Sequence, residues 1–145
     1  MRVYGTPRPQ GSKRYVGNGR FIEASDVKPW RLAIAREVFQ EWMRSGDDRP
    51  FSEPVVVEAV FYMPKPKTVR RLWPSVAPDL DKLQRGLGDA LSVDSNAILD
   101  DSLIVSWQTA KVYAPTPAEA GVSFSIRLAT EADLAKANGL VTETL

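Results

Sequence analysis

Aspartates are concentrated in one short stretch of the sequence. Residues 79–101 contain six aspartates and no glutamate: Asp79, Asp81, Asp89, Asp94, Asp100 and Asp101. Aspartate is a poorer helix former than glutamate, so a helix that uses it repeatedly gives up local stability. Carboxylate oxygens are also the ligands that a hard cation such as Mg²⁺ takes from proteins. The stretch is therefore a candidate metal site.

The residue types that the chain lacks narrow its chemistry further. It has 0 Cys and 0 His, which excludes thiolate nucleophiles, imidazole bases, Ser-His-Asp triads and Cys or His ligands to transition metals. Any catalysis must use carboxylates, Lys, Arg, Tyr or hydroxyl groups, or a cation held by oxygen ligands.

Charge is segregated along the 145 residues although the formal net charge is only +1. Residues 1–78 contain 14 Lys and Arg against 8 Asp and Glu, a charge of +6, whereas residues 79–145 contain 5 against 10, a charge of −5. Such a division suits two halves that attract each other on folding. It also suits a metal-dependent nuclease, in which carboxylates lie among phosphate-binding cations. The charge pattern alone favours neither.

The elements that would position these acids follow an irregular order. We predict strands at 1–4, 55–63, 103–113 and 122–128, a hairpin at 15–22 turning through Gly17-Asn18-Gly19, and helices at 26–45, 79–91 and 131–137. A basic, proline-rich loop at 64–78 interrupts them. The order lacks the regular alternation of a doubly wound sheet. It predicts one α+β domain, residues 1–130, with a mixed sheet and helices packed on one side, followed by a C-terminal extension at 131–145 that is a short helix or a loose tail.

Several local features accompany these elements. Ser25 is suited to cap the helix at 26–45, Gly46 to end it, and Thr130 to cap the C-terminal helix. The β-branched strand at 55–63 is expected to be buried on both faces. Two further assignments concern single residues outside the regular elements. Asp94 is expected to be solvated, and Trp73 to be buried in the core rather than stacked on an unpaired base.

The helix at 79–91 can use its acids in two ways. Asp79 and Asp81 lie at its N-terminal end, where an N-cap and a first-turn acid are ordinary structural features. However, Asp81, Arg85 and Asp89 recur at i, i+4 and i+8 on the face opposite the leucines. Downstream, the adjacent pair at 100–101 directly precedes an apolar strand, where one carboxylate can point back at the helix.

The spacing of these residues resembles that of a known family. Pro78-Asp79-Leu80-Asp81-Lys82-Leu83-Gln84-Arg85 is followed by Asp89-Ala90-Leu91, by Asp100-Asp101-Ser102-Leu103-Ile104 and by Lys111. This set is similar to the RusA family of phage and bacterial Holliday junction resolvases, over residues 3–128. A proline-rich and arginine-rich start, a hairpin, a helix containing Lys28-Pro29-Trp30 and a strand ending in Met-Pro agree with it.

The resemblance implies a homodimeric endonuclease that depends on Mg²⁺, with Mn²⁺ as an alternative, and that cuts four-way DNA junctions by paired nicks leaving 5′-phosphate and 3′-hydroxyl ends. It implies that Asp79, Asp81 and Asp101 bind the metal. Asp100 and Asp89 are weaker candidates, because Asp100 also suits a turn cap and Asp89 an ion pair with Arg85.

Two positions depart from the family pattern. Lys82 stands where asparagine is common, and Arg85 where lysine is usual. Arginine stays protonated, so Arg85 can hold a phosphate or stabilise developing charge but cannot deliver a proton. We count it as catalytic in that sense. The remaining cations predicted to bind DNA are Arg8, Lys13, Arg14, Arg20, Lys65, Lys67, Arg70, Arg71, Lys82 and Lys111.

Two other functions remain open from the sequence. One is another metal-dependent nuclease or phosphohydrolase acting on flapped DNA or nucleotides, because carboxylates fix the reaction type and not the substrate. The other is a DNA-junction binding module without activity, which Lys82 and Arg85 make conceivable. No apolar run reaches the length of a membrane span or a signal peptide, so we expect no membrane partner and a cytoplasmic location, in a bacterium or a phage-infected host.

Overall fold

The computed structural model describes residues 1–11, 14–18, 20–22, 26–46 and 50–144. The elements are β1 (Arg2–Tyr4), β2 (Arg14–Gly17), β3 (Arg20–Ile22), α1 (Val27–Ser45), β4 (Val55–Met63), α2 (Leu80–Asp89), β5 (Ile104–Tyr113), β6 (Gly121–Leu128) and α3 (Glu131–Thr144). None of the helices in these described ranges is long and apolar enough to cross a membrane.

The main sheet has four strands in the order β1-β6-β4-β5. The central strand β4 runs parallel to β5 and antiparallel to β6, and β1 is antiparallel to β6. Strands β2 and β3 form a separate antiparallel hairpin, and at its turn Gly17 and Asn18 adopt the positive φ angles that these residue types tolerate. The sheet is therefore mixed, and the α+β prediction is confirmed.

One face of β4 makes the core with α1 and α2. Alternate β4 residues from Val55 to Met63 are buried there, because successive side chains of a strand point to opposite faces. Each fully buried aliphatic side chain contributes roughly 1.5–3 kcal/mol. The helices supply the rest of this core at the spacing of one helix face: Trp30, Ile34 and Val38 from α1, and Leu83 and Leu87 from α2.

The opposite face of β4 corrects the expectation of burial on both sides. Val56 is fully buried, but Glu58, Val60 and Tyr62 are only partly covered. Their neighbours on the adjoining strands include Ser123 and Ser125. A run of β-branched residues predicted the strand correctly, but burial also depends on what the neighbouring strands present, which the run itself does not contain.

The helix ends partly follow the sequence signals. Gly46 ends α1 in the left-handed region at φ 70°, and its N–H donates to the Trp42 carbonyl at 3.0 Å. At the start of α1, Asp26 makes no side-chain capping bond, and the predicted cap Ser25 lies outside the described residues. Helix α2 does not stop at its C-terminal end but continues into one π-helical turn, Ala90–Asp94.

The C-terminal helix is longer than expected. Thr130 caps it as predicted: Asp133 N–H donates to Thr130 Oγ1 at 3.3 Å, while Thr130 N–H donates to Asp133 Oδ2 at 2.8 Å. The helix then continues to Thr144 rather than ending at residue 137. Arg127 of β6 donates two hydrogen bonds to Asp133, at 2.7 and 2.8 Å, which ties the first turn of α3 to the sheet.

A buried ion pair connects α1 to the segment after α2. Arg31 Nε donates to Asp94 Oδ2 at 2.7 Å and Nη2 to Oδ1 at 3.0 Å, with only 8% and 10% of the two side chains exposed. Asp94 is therefore not solvated, and that expectation was wrong. Arg31 also donates to Gln10 Oε1 at 3.1 Å, and Gln10 N–H donates to the Lys82 carbonyl at 3.0 Å. The N-terminal loop is thereby held against the start of α2.

Candidate active site

Three of the predicted acids line one cavity. Asp81, Asp89 and Asp101 surround a space of about 230 Å³ together with Arg85. The first two acids and Arg85 lie on the α2 face opposite the buried leucines, as their spacing predicts. Asp101 comes from the 3₁₀ turn Asp101–Leu103 that precedes β5. We call this space, completed by Gln84, Gly88, Ile104 and Trp107, the acidic cavity.

Contacts between α2 and β5 fix the walls of the acidic cavity. Thr109 Oγ1 donates to Gln84 Oε1 at 2.5 Å, which joins the middle of α2 to β5. One turn later, a Cβ placed on Gly88 would stand 3.5 Å from the Trp107 ring. The Trp107 indole therefore packs beside the helix backbone at Gly88, at a distance that a Cβ would also tolerate. Neither residue pair was singled out from the sequence, because each joins positions about 20 or more residues apart.

Asp100 and Asp101 have different surroundings although they are adjacent. Asp100 Oδ1 accepts the Ser102 N–H at 2.8 Å and so caps the 3₁₀ turn. This backbone hydrogen bond, helped by the Ser102 and Asp101 side chains, lowers the pKa of Asp100 below its usual value. The Asp100 carboxylate thus serves the turn, as the alternative assignment anticipated, while Asp101 lines the acidic cavity.

Asp79 lies in a different place from the other predicted ligands. It occupies the N-cap position of α2 with extended backbone, yet its side chain makes no capping hydrogen bond and is 65% exposed. Asp79 therefore stands at the N-cap position that the structural alternative assigns to it, but its carboxylate makes no capping bond. Its carboxylate stands 3.8 Å from Lys82 Nζ and borders a second, larger space rather than the acidic cavity.

That second space is a groove of about 590 Å³ beside the N-terminal end of α2. Its apolar walls include Met63, Val76 and Tyr113, and its rim carries cations from four parts of the chain. We call it the proline-lined groove because its lining includes Pro7, Pro9, Pro64, Pro66, Pro74 and Pro78. The cations that line it are Arg8, Arg71, Lys82 and Lys111.

Lys111 connects β5 to the loop that leads into α2. Its Nζ donates to the Val76 carbonyl at 2.7 Å and to the Pro78 carbonyl at 2.8 Å. Two of its three ammonium protons therefore hold the backbone immediately before Asp79. A cis peptide bond joins Ala77 and Pro78 in this segment. Lys111 thus has a backbone-holding position in addition to the phosphate contact that the sequence suggested.

The acidic cavity offers the type of ligand that a hard cation needs. Mg²⁺ takes oxygen ligands and commonly uses one or two protein carboxylates, completing its shell with water and substrate phosphates. Asp81, Asp89 and Asp101 supply carboxylates to one cavity, so the chemistry fits. Within the ranges that the structure describes, however, no group of three or more acids is arranged to hold an ion by itself. The trio of Asp79, Asp81 and Asp101 is not gathered in one cavity.

Of the cations predicted to bind DNA, Arg8, Arg71, Lys82 and Lys111 line the proline-lined groove. The loop at 64–78 exposes all four of its cations, Lys65, Lys67, Arg70 and Arg71. Arg8 pairs with Asp26 at 3.2 Å. Arg14 and Arg20 lie on the strands β2 and β3, and only their backbone is described. Lys13 lies outside the described residues.

Aromatic residues near the basic loop depart from expectation. Trp73 is 57% exposed, so the expectation that it is buried in the core was wrong. The prolines at 74 and 78 prevent a regular helix or strand whose spacing would direct the indole toward the core. Tyr113, which the sequence analysis missed, ends β5 with the Lys65 Nζ and Arg71 Cζ atoms 5.7 and 6.0 Å from its ring centre. Its buried hydroxyl has no hydrogen-bond partner among the described residues.

Comparison with known proteins agrees with this arrangement of acids and cations. Residues 3–124 match the family described as Endodeoxyribonuclease RusA. The matched segment runs from β1 into β6 and contains both the acidic cavity and the proline-lined groove. A search of curated proteins found no match. The family match covers most of the 145 residues, and the chain belongs to the RusA family of endodeoxyribonucleases.

Proposed function

We propose that the protein is a metal-dependent endonuclease that cuts four-way DNA junctions. The observation that carries the proposal is the acidic cavity, with its three aspartates and Arg85, inside the segment that matches the family. The exposed cations of the loop at 64–78 support it, because phosphate binding needs accessible positive charge. Such an enzyme would act on branched DNA in the cytoplasm of a bacterium or a phage-infected host.

The acidic cavity is the proposed place of the chemistry. Asp81 and Asp101 would hold Mg²⁺ or Mn²⁺ there, with Asp89 as a weaker ligand and Asp79 reaching the ion or its water shell from the rim. Bound Mg²⁺ would neutralise the scissile phosphate and lower the pKa of a coordinated water. Because the described acids do not form a complete cage, phosphate oxygens of the DNA would complete the coordination shell.

Other side chains would bind and orient the DNA. Arg85, on the same face of α2 as Asp81, would donate to the scissile phosphate and offset the negative charge that develops on its oxygens. Water would add to phosphorus as the bond to the 3′ oxygen breaks, leaving 5′-phosphate and 3′-hydroxyl ends. Asp100, which is occupied in capping the turn, would act by holding Asp101 in place.

The proposed enzyme is a homodimer. Symmetric cuts across a four-way junction require two active sites at a fixed separation, and a two-fold pair provides them through one self-complementary interface. Each protomer would contribute one acidic cavity. The two nicks would then be made in strands related by the symmetry of the junction.

The test is cleavage of labelled four-way junction, flap and linear duplex, with Mg²⁺, Mn²⁺ or EDTA. We expect paired nicks in the junction only, in the presence of either metal. Preference for the flap would assign the protein to the broader class of metal-dependent nucleases. Tight junction binding with no cleavage in either metal would identify a binding module and contradict the enzymatic proposal.

A further inference from the structure

We propose that the proline-lined groove is a subsite for one unpaired nucleotide of the DNA strand that enters the acidic cavity. This inference rests on the proposed function and deepens it. The acidic cavity accounts for the reacting phosphate, and the larger groove beside it has walls of a different chemistry. Size, wall chemistry, charge and position each favour a nucleotide there.

The groove has the size and the walls of a small-molecule site. Its volume of about 590 Å³ lies within the range of roughly 300–1,000 Å³ for typical ligand pockets. The prolines, Met63 and Val76 offer apolar surfaces, and Tyr113 adds an aromatic ring. A nucleobase is flat and has apolar faces, so it can pack on such walls whatever its sequence.

Charge at the groove favours an anion. Four cations line it against two acids, Asp26 and Asp79. Asp26 is paired with Arg8 at 3.2 Å, and Asp79 lies 3.8 Å from Lys82. Arg71 carries its charge near the Tyr113 ring. A ligand with an apolar body and an anionic edge matches this combination of apolar walls and a basic rim, and a nucleotide is such a ligand.

Position connects the groove to the cleavage site. Asp79 borders the groove and Asp81, two residues later, lines the acidic cavity. A strand that places one phosphate in the acidic cavity can therefore place a neighbouring nucleotide in the groove. At a branch point the stacking of base pairs is interrupted, so withdrawing one base costs less than it would in a continuous duplex. The subsite would thus favour branched DNA over linear DNA.

The test uses a four-way junction with 2-aminopurine at the branch point, bound in EDTA so that no cleavage occurs. Fluorescence of the 2-aminopurine reports on its stacking, and anisotropy of a separate label gives the dissociation constant. Val76→Trp fills the groove from an exposed position and leaves the carboxylates untouched. Leu134→Trp, at an exposed site on α3, is the control for adding an indole to the surface.

We expect wild-type protein and Leu134→Trp to change the 2-aminopurine signal equally. Val76→Trp should abolish that change and weaken junction binding about tenfold, in line with the loss of one stacked base. Tyr113→Phe should retain the change, because it keeps the ring. An unaltered signal and affinity in Val76→Trp would overturn the proposal. Binding of an acidic peptide in the groove that junction DNA does not displace would overturn it too.

Cleavage and fluorescence assays of the same proteins distinguish failure of this proposal from failure of the proposed function. If wild-type protein cuts junctions in Mg²⁺ but Val76→Trp binds and signals normally, the groove proposal fails and the function stands. If the protein cuts no DNA in any metal but shows the groove-dependent signal, the enzymatic proposal fails and the nucleotide subsite stands. Asp81→Asn should keep the signal, since its side chain does not line the groove.

Discussion

The neighbouring carboxylates of Asp100 and Asp101 have different roles because one of them accepts a backbone hydrogen bond. Asp100 accepts the Ser102 N–H, and the resulting fall in its pKa marks a carboxylate stabilised in its charged form by the turn it caps. Asp101 is exposed and lines the acidic cavity. Substitution of these two adjacent aspartates should therefore affect cleavage to different extents.

This difference predicts opposite outcomes for two matched variants. Asp101→Asn should lower junction cleavage at least about a hundredfold, because it removes a metal ligand that supplies several kcal/mol to the transition state. Asp100→Asn should cut nearly as fast as wild type, because asparagine caps a turn equally well. Asp79→Asn and Asp81→Asn should resemble Asp101→Asn. Single-turnover cleavage measures all four variants. Normal cutting by Asp79→Asn, Asp81→Asn or Asp101→Asn would exclude that residue from the metal site.

Removing two cations from the basic loop should weaken DNA binding without regard to sequence. Arg70→Ala combined with Arg71→Ala removes exposed charges that phosphates would contact. The slope of log affinity against log salt should flatten by about one to two phosphate equivalents. Lys136→Ala, an exposed lysine on α3, is the control and should leave the slope unchanged. An unchanged slope in the double variant would place this loop away from the DNA.

At the scale of elements, Lys111 holds the segment that delivers Asp79 to α2. Lys111→Met should free the Val76 and Pro78 carbonyls and speed hydrogen exchange at residues 75–79. Cleavage should fall about tenfold or more, since small displacements of positioned groups are costly, while junction affinity changes only a few-fold. Lys65→Met is the matched control. If the only effect of Lys111→Met is a flatter salt slope, Lys111 is a phosphate ligand and not a positioning residue.

The attachment of α3 to the sheet should depend on pH only in the acidic range. Hydrogen bonds from Arg127 and from Thr130 hold the pKa of Asp133 well below its usual range. Because the native pKa is depressed, the pair stabilises the docked helix fully above about pH 4 and progressively less as the pH falls toward that native value. Hydrogen exchange in α3 should therefore accelerate below pH 4. Asp133→Asn should show fast exchange already at pH 7, whereas Glu131→Gln should not.

At the scale of the whole molecule, local signals were read more accurately from the sequence than long-range ones. The β-branched run at 55–63 and the stop at Gly46 were predicted correctly, because each depends on residues close in the chain. The stripe of Asp81, Arg85 and Asp89 was likewise visible from helical spacing. By contrast, Asp94 pairs with a residue 63 positions away, and no local pattern contains such a contact. Asp79 stands apart from Asp81 because an extended N-cap residue does not follow the helical stripe.

The exposed side of α1 carries large apolar side chains. On α1, Phe39 and Met43 are 59% and 73% exposed, and Leu32 is also exposed. These residues recur at positions close to the same face of the helix. Trp30, by contrast, is buried in the core, and Trp42 packs against it. Of the three aromatic residues of α1, Phe39 is therefore the exposed one and the one available for association.

The whole-molecule prediction is that the protein is a dimer that uses this stripe. Light scattering at micromolar concentration should give about twice the 16.1 kDa of one chain, with or without junction DNA. Phe39→Glu combined with Met43→Glu should give monomers, because two buried charges at an apolar interface are not compensated, whereas Leu134→Glu on α3 should not.

A monomer would still bind a junction arm and nick once, so its nicks would be uncoupled and a singly nicked intermediate would accumulate. A mass of one chain for the wild type, both free and on the junction, would contradict the dimer and the paired nicks together, and would favour a flap nuclease or nucleotide phosphohydrolase instead.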